Sequence, residues 1–207
     1  MKTYLMGVVV GVAITIAATT ASACTRNMPA GTDQPVPSRV DQQVLDAAVR
    51  AEVNYHRCRA GLRPLGPANT ALVRVAAAHS TWMARSNTLS HRSNVSGKAR
   101  LSDRIRAANI RARTGAENIG MVHRYRIDGQ RFKIVDGASC KFASQGGDPL
   151  HAHSYASLAR HAVALWMNSS GHRRNILNPN VTMVSTAAAY GDGQYCGRFW
   201  LTQNFVG

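Results

Sequence analysis

The stretch Trp166-Met-Asn-Ser-Ser-Gly-His-Arg-Arg-Asn-Ile-Leu177 constrains the fold more than any other. An apolar helical pattern enters it from Ser154, with Leu158, His161, Ala162, Leu165 and Trp166 on one face. Gly171 interrupts that pattern, and His172 follows at once. Glycine at a helix end permits a backbone turn that a Cβ resists. The spacing therefore predicts a helix terminus that delivers one imidazole, His172, to a surface. What it faces must come from elsewhere in the chain.

Two earlier segments carry the same helical period. Over residues 40–60, Val44, Ala48, Ala51, Tyr55 and Cys58 recur in steps of three and four, and Gly61 ends the run. Over residues 69–86, Leu72, Val75, Ala76, His79, Trp82 and Met83 share a face, with Asn69 as the cap. His79 lies inside that apolar stripe and reads as a core histidine with its polar atoms satisfied. His91 falls just beyond the stripe, in a polar loop. Leu101 to Asn109 reads as a short amphipathic helix.

The second half of the chain changes character. Gly115 to Val122 reads as a strand, and Arg131 to Val135 as part of a hairpin. Residues 123–153 are otherwise irregular, and His151 and His153 read as solvated loop histidines. Val181–Tyr190 and Tyr195–Val206 are rich in β-branched and aromatic residues, with Gly191-Asp192-Gly193 as the turn between them. An antiparallel sheet covered by helices follows: an α+β chain with a single core from residue 40 to 207.

Charge narrows the partners. Lys and Arg number 25 against 10 Asp and Glu, a formal net charge of +15. Between Arg92 and Lys133, eleven cations face three acids. Such a field favours an anionic partner, lipid or glycan, although a merely solvated basic face has the same composition. No aromatic interleaving marks a nucleic-acid groove, so no nucleic acid is expected. Glu117 is the only acid between Arg104 and Ile127. A lone carboxylate in that setting should be ionised and paired.

Residues 1–23 read as a signal peptide: Lys2, an apolar run from Leu5 to Ala18, then the small-x-small site Ala21-Ser22-Ala23. Export, to a periplasm or beyond the cell, permits disulfides. Cys140 and Cys196 both fall in the strand-rich half and form the favoured pair. Cys24 admits two fates. It can pair with Cys58, or it can carry a lipid anchor, because Ala21-Ser22-Ala23-Cys24 resembles a lipoprotein box; in that case one cysteine is left over. Residues 24–39, rich in proline and poor in apolar side chains, read as a flexible linker. No C-x-x-C spacing is present, which argues against a zinc-thiolate site.

Taken together, the motifs resemble the CAP superfamily in its bacterial form: the cysteine-rich secretory proteins, antigen 5 and pathogenesis-related 1. They run in the family's order: Asn54-x-x-Arg57 with Gly61-Leu62-x-Pro64-Leu65; Ala78-His79-Ser80-x-x-Met83-Ala84; Asn87-x-Leu89-Ser90-His91; Asp103-Arg104-Ile105; Glu117-Asn118-Ile119; Trp166 to Leu177; and Trp200-x-Thr202-Gln203-x-Phe205. The resemblance implies an α-β-α sandwich. It also implies a cleft lined by two histidines and two acids, which in some members holds a divalent metal, typically zinc.

By position, His91, Glu117 and His172 match three of those four residues, with His91 and His172 as the implied metal ligands. Ser169 stands where eukaryotic members often carry the fourth acid, and Ala116 replaces the usual glycine before the glutamate. The family's eukaryotic members include sterol and lipid binders. Two functions follow. One is a non-enzymatic envelope module that binds a lipid, glycan or peptide at the cleft or the basic face. The other is a metal-dependent hydrolase of an envelope polymer, with Glu117 as the candidate catalytic base. The pattern favours binding, because no nucleophile is framed near the histidines.

Overall fold

The computed structural model describes residues 24–207; the expected signal peptide, residues 1–23, lies outside the described residues. Five α-helices occur among them: α1 Gln42–Arg59, α2 Thr70–Ser86, α3 Leu101–Ala107, α4 Tyr155–Asn168 and α5 Ser170–Ile176. The strands are β1 Gly66–Pro67, β2 Gly115–His123, β3 Phe132–Asp136, β4 Lys141–Ser144, β5 Met183–Gly191 and β6 Arg198–Val206. Asp41 caps α1 and Asn69 caps α2, each accepting from the first-turn amides.

The main sheet has the order β1-β5-β6-β2. β2, β5 and β6 pair antiparallel, whereas β1 pairs parallel with β5, so the sheet is mixed rather than wholly antiparallel. A two-residue strand leaves no periodic trace, and Gly66-Pro67 reads in sequence as a connection. Pro67 is tolerated because β1 is an edge strand. β3 and β4 form a separate hairpin.

β6 is buried almost throughout because both of its faces are covered. Phe199, Leu201 and Phe205 join Leu45, Val49, Val53, Leu158, Val163 and Trp166 in the core beneath α1 and α4. On the opposite face, Trp200 packs with Met83 and Ile119, and Val206 with Leu72, Val75 and Ile105, beneath α2 and α3. Each such side chain contributes about 1.5–3 kcal/mol by leaving water. The result is the expected α-β-α sandwich.

Three local expectations change. Gly171 does not end a helix: it lies within α5, outside the glycines of positive φ. The break falls one step earlier, at Ser169, whose extended backbone (φ −96°, ψ 124°) ends α4 and starts α5. The β5–β6 connection is longer than a tight hairpin and includes a 3-10 turn at Gln194–Cys196, with Tyr195 and Cys196 at positive φ. The Cys140–Cys196 disulfide ties that turn to the β3–β4 hairpin.

Residues 24–39 pack on the domain rather than forming a flexible linker. Thr32 and Val36 are 2% and 1% exposed, Val36 N–H donates to His153 O, and Cys24 is bonded to Cys58 of α1. That disulfide uses the sulfur that a lipid anchor on Cys24 would need. No helix among the described residues is long and apolar enough to cross a membrane.

Candidate functional site

β2 is an edge strand of the main sheet, and both α3 and α5 pack against it. Alternation along β2 sends Glu117 toward α3 and Asn118 toward α5. Both are buried. The loop after α2 brings His91 to the same place: Asn87 ends α2 in a left-handed conformation at φ 47°, and Ser90 and His91 follow.

Glu117 is held at both oxygens. Its Oε1 lies 2.9 Å from His91 Nδ1, and its Oε2 accepts from Arg104 Nη2 at 2.5 Å. The expected pairing of this carboxylate is present, and its cationic partner is Arg104 of α3. Arg104, only 1% exposed, also donates to the carbonyls of His91, Lys98 and Ala99. It therefore fixes both the carboxylate and the loop that carries the histidine. With Nδ1 turned to Glu117, His91 keeps Nε2 for whatever enters the cleft, and its ring is 55% exposed.

His79 supports the same loop from beneath. Its Nε2 bonds Ser90 O at 2.9 Å, and its ring stacks on Trp82 with centroids 5.6 Å apart. It is 3% exposed, as a core histidine should be, but only half satisfied, since its Nδ1 is buried without a hydrogen-bond partner. Burial first, and then Arg104, push its pKa below the ordinary histidine value. His79 is a positioning residue rather than a ligand.

The other wall is α5. Asn175 Nδ2 donates to Glu117 O at 3.2 Å and to Asn118 Oδ1 at 2.9 Å. Asn118 Nδ2 donates to Gln203 Oε1 at 3.0 Å and to His172 O at 3.4 Å. Trp166 Nε1 donates to Ile119 O at 3.0 Å, and Gly120 makes room for that indole, since a Cβ there would sit 3.2 Å from Nε1. This network locks α4 and α5 onto β2 and so places His172. The His172 pKa is lowered, first by burial and then by the charge of His91, so the two histidines share one electrostatic environment.

The structure thus places His91 in contact with Glu117 and sets His172 on the facing helix. Ser169 takes no part in a carboxylate pair; with His172 and Trp166 it lines an apolar cavity of about 220 Å³. Sequence reasoning gave no role to Arg104, Asn118, Asn175 or Gln203. All four lie inside the quoted motifs, which was the available signal. His153, expected to be a solvated loop residue, is 3% exposed, whereas His151 is exposed.

Fit to a metal is limited. Among the described residues no three His, Cys, Asp or Glu side chains are grouped to hold an ion. Both Glu117 oxygens are engaged, which makes it an orienting partner of His91 rather than a free ligand. The donors left are His91 Nε2 and the His172 imidazole.

Comparison with solved structures gives the same architecture. An extracellular protein containing an SCP domain from Bacillus anthracis str. Ames is 21% identical with a TM-score of 0.51, covering 82% of this chain and 42% of its own. An outer surface protein from Borrelia burgdorferi is 12% identical with a TM-score of 0.51, covering 84% and 98% respectively. The chain therefore spans about two-fifths of the Bacillus protein and nearly all of the Borrelia one. Among curated proteins no significant match is found. The profile of the CAP family, described as the cysteine-rich secretory protein family, matches residues 50–205. The chain belongs to that family.

Proposed function

We propose that this protein is an exported, non-enzymatic binding module of the cell envelope, taking an anionic lipid or glycan at the His91–Glu117–His172 cleft and the basic face beside it. The observation that carries this reading is the double engagement of Glu117 by His91 and Arg104. A general base needs a free oxygen within reach of the water it deprotonates. Here both oxygens already carry a hydrogen bond from the fold, which weighs against Glu117 as the base of the hydrolase alternative. Two disulfides support export, and the net charge of +15 supports an anionic partner. In this reading a divalent metal such as zinc is an accessory held by the imidazoles of His91 and His172.

Zinc titration of the purified domain, beside a His91→Ala/His172→Ala double variant, tests the accessory metal. Uptake by the wild type alone is expected; identical titrations remove the metal from the proposal. Binding to anionic vesicles that weakens with salt tests the basic face. Peptidoglycan or peptide hydrolysis that is lost in Glu117→Gln would establish the enzyme and end the binding-module reading.

A further inference from the structure

On the sheet face beneath α1, α4 and α5, residues directly opposite one another form rows across the strands. The row Val184–Phe205–Ala116 is apolar, and so is Ala188–Leu201–Gly120. Between them lies Thr186–Gln203–Asn118, three polar residues on β5, β6 and β2, each 0% exposed. An apolar row at that level would fill the same space with no polar group to desolvate. It could not orient the amide of Asn118.

The polarity of this row has one solution. Asn175 Nδ2 lies 3.2 Å from the Glu117 carbonyl, an atom that can only accept, so Asn175 presents its N–H there. The same group donates to Asn118 Oδ1 at 2.9 Å. Asn118 Nδ2 therefore faces the other way, donating to His172 O at 3.4 Å and to Gln203 Oε1 at 3.0 Å. Gln203 Nε2 then donates to Thr186 Oγ1 at 3.3 Å. The Thr186 backbone is held in turn from α1, its N–H donating to Asp46 Oδ1 at 2.7 Å. Neighbouring strands lie about 4.8 Å apart, so the row carries a fixed amide orientation roughly 10 Å across the sheet.

The bond from Asn118 to His172 O is the longest in the row, whereas the bond to Gln203 has ordinary length. Gln203 more than His172 thus decides where Asn118 Nδ2 sits. Asn118 meets α5 at the His172 carbonyl and at the Asn175 side chain. Ile176 anchors the far end of α5 in the core, and the near end, which carries His172, is seated on β2 through Asn118. We infer that Gln203, with Thr186 behind it, is a positioning residue for the His172 imidazole, acting through Asn118. The use of that placement in binding rests on the cleft proposed above; the placement itself does not.

Carbon–proton correlation NMR of the mature protein at about pH 7.5 reads the imidazole directly, with His172→Ala identifying its crosspeak. Gln203→Met keeps the volume and removes the amide. Thr186→Val keeps the shape and removes the oxygen that the Gln203 amide needs. Each should displace the His172 crosspeak, and Thr186→Ser, which keeps that oxygen, should leave it at the wild-type position. Thr202→Val removes an equally buried hydroxyl from the opposite face of β6, where it meets Ser80, and should not move it. The inference is overturned if a folded Gln203→Met or Thr186→Val protein leaves the crosspeak unmoved. It is overturned equally if Thr186→Ser or Thr202→Val displaces the crosspeak as far as Thr186→Val does. Either of the first two variants decides the matter if the other fails to fold. The measurement needs no ligand, so its failure is separate from a failure of vesicle binding, which would count against the binding-module reading alone.

Discussion

Arg104 Nη2 lies 2.5 Å from Glu117 Oε2, and the two side chains are 1% and 3% exposed. This pair joins three elements, since Arg104 belongs to α3, Glu117 to β2, and the same guanidinium holds the His91 carbonyl. A buried ion pair is weak evidence of net stability, but breaking one is costly because a charge stays behind in the interior. Arg104→Met should therefore destabilise the domain by about 3–5 kcal/mol. Arg104→Met/Glu117→Leu should lose less than the two single variants combined. Urea unfolding measures all three. Strict additivity would mean that the two side chains act separately.

The placement of His172 depends on Asn175, which bonds both Glu117 O and Asn118 Oδ1. Asn175→Ala removes two hydrogen bonds at a partly buried position and should cost about 1–3 kcal/mol. Its local signature is sharper than its global one. Amides of α5 should exchange with solvent faster while those of β6 keep their protection, because only the tie to β2 is cut. Equal loss of protection across the sheet would show that Asn175 supports the whole core instead.

Cys24 and Cys58 close a loop of sequence separation 34. By the chain-entropy relation, Cys58→Ser should destabilise by about 3–4 kcal/mol. The same bond and the lipid anchor suggested by the lipoprotein-like box exclude each other, so thiol labelling separates them. With both disulfides formed, no thiol of the mature protein should react with iodoacetamide before reduction. A lipid on Cys24 would leave Cys58 alkylatable, and a modified Cys58 peptide would identify that alternative.

Much of the fold was legible because helical periods of three and four survive in α1, α2 and α4, and strand composition survives in β5 and β6. The site was legible to the extent that its residues sit in short ordered motifs, which is how His91, Glu117 and His172 came together. Arg104 was legible only through its place in the Asp103-Arg104-Ile105 motif, since charge alone does not tell the one buried side chain among eleven cations from the solvated ones. β1 has two residues and no period. The Gly171 break was displaced because the chain turns at Ser169, an ordinary residue in an extended conformation that composition does not flag. Residues 24–39 look like linker by composition, yet one disulfide and one buried valine hold them down.

His153 makes stability depend on pH. Burial first, then the neighbouring His161, lowers its pKa to about 4 from the ordinary 6.5, against a smaller opposing pull from Asp128 and with Arg126 acting in the same direction as His161. Above about pH 6.5 the ring is neutral in both folded and unfolded chains, and stability is at its full value. As pH falls below that, the unfolded chain binds a proton that the folded one refuses, so stability drops. The drop continues until about pH 4, where the folded ring is protonated too, and it amounts to about 2 kcal/mol by pH 5. His56, His79 and His172 are shifted the same way and add to it. Urea midpoints at about pH 7 and pH 5 should therefore fall steeply for the wild type and more shallowly for His153→Gln, which has no ring to protonate. Parallel slopes in the two proteins would place the pH dependence in the other histidines.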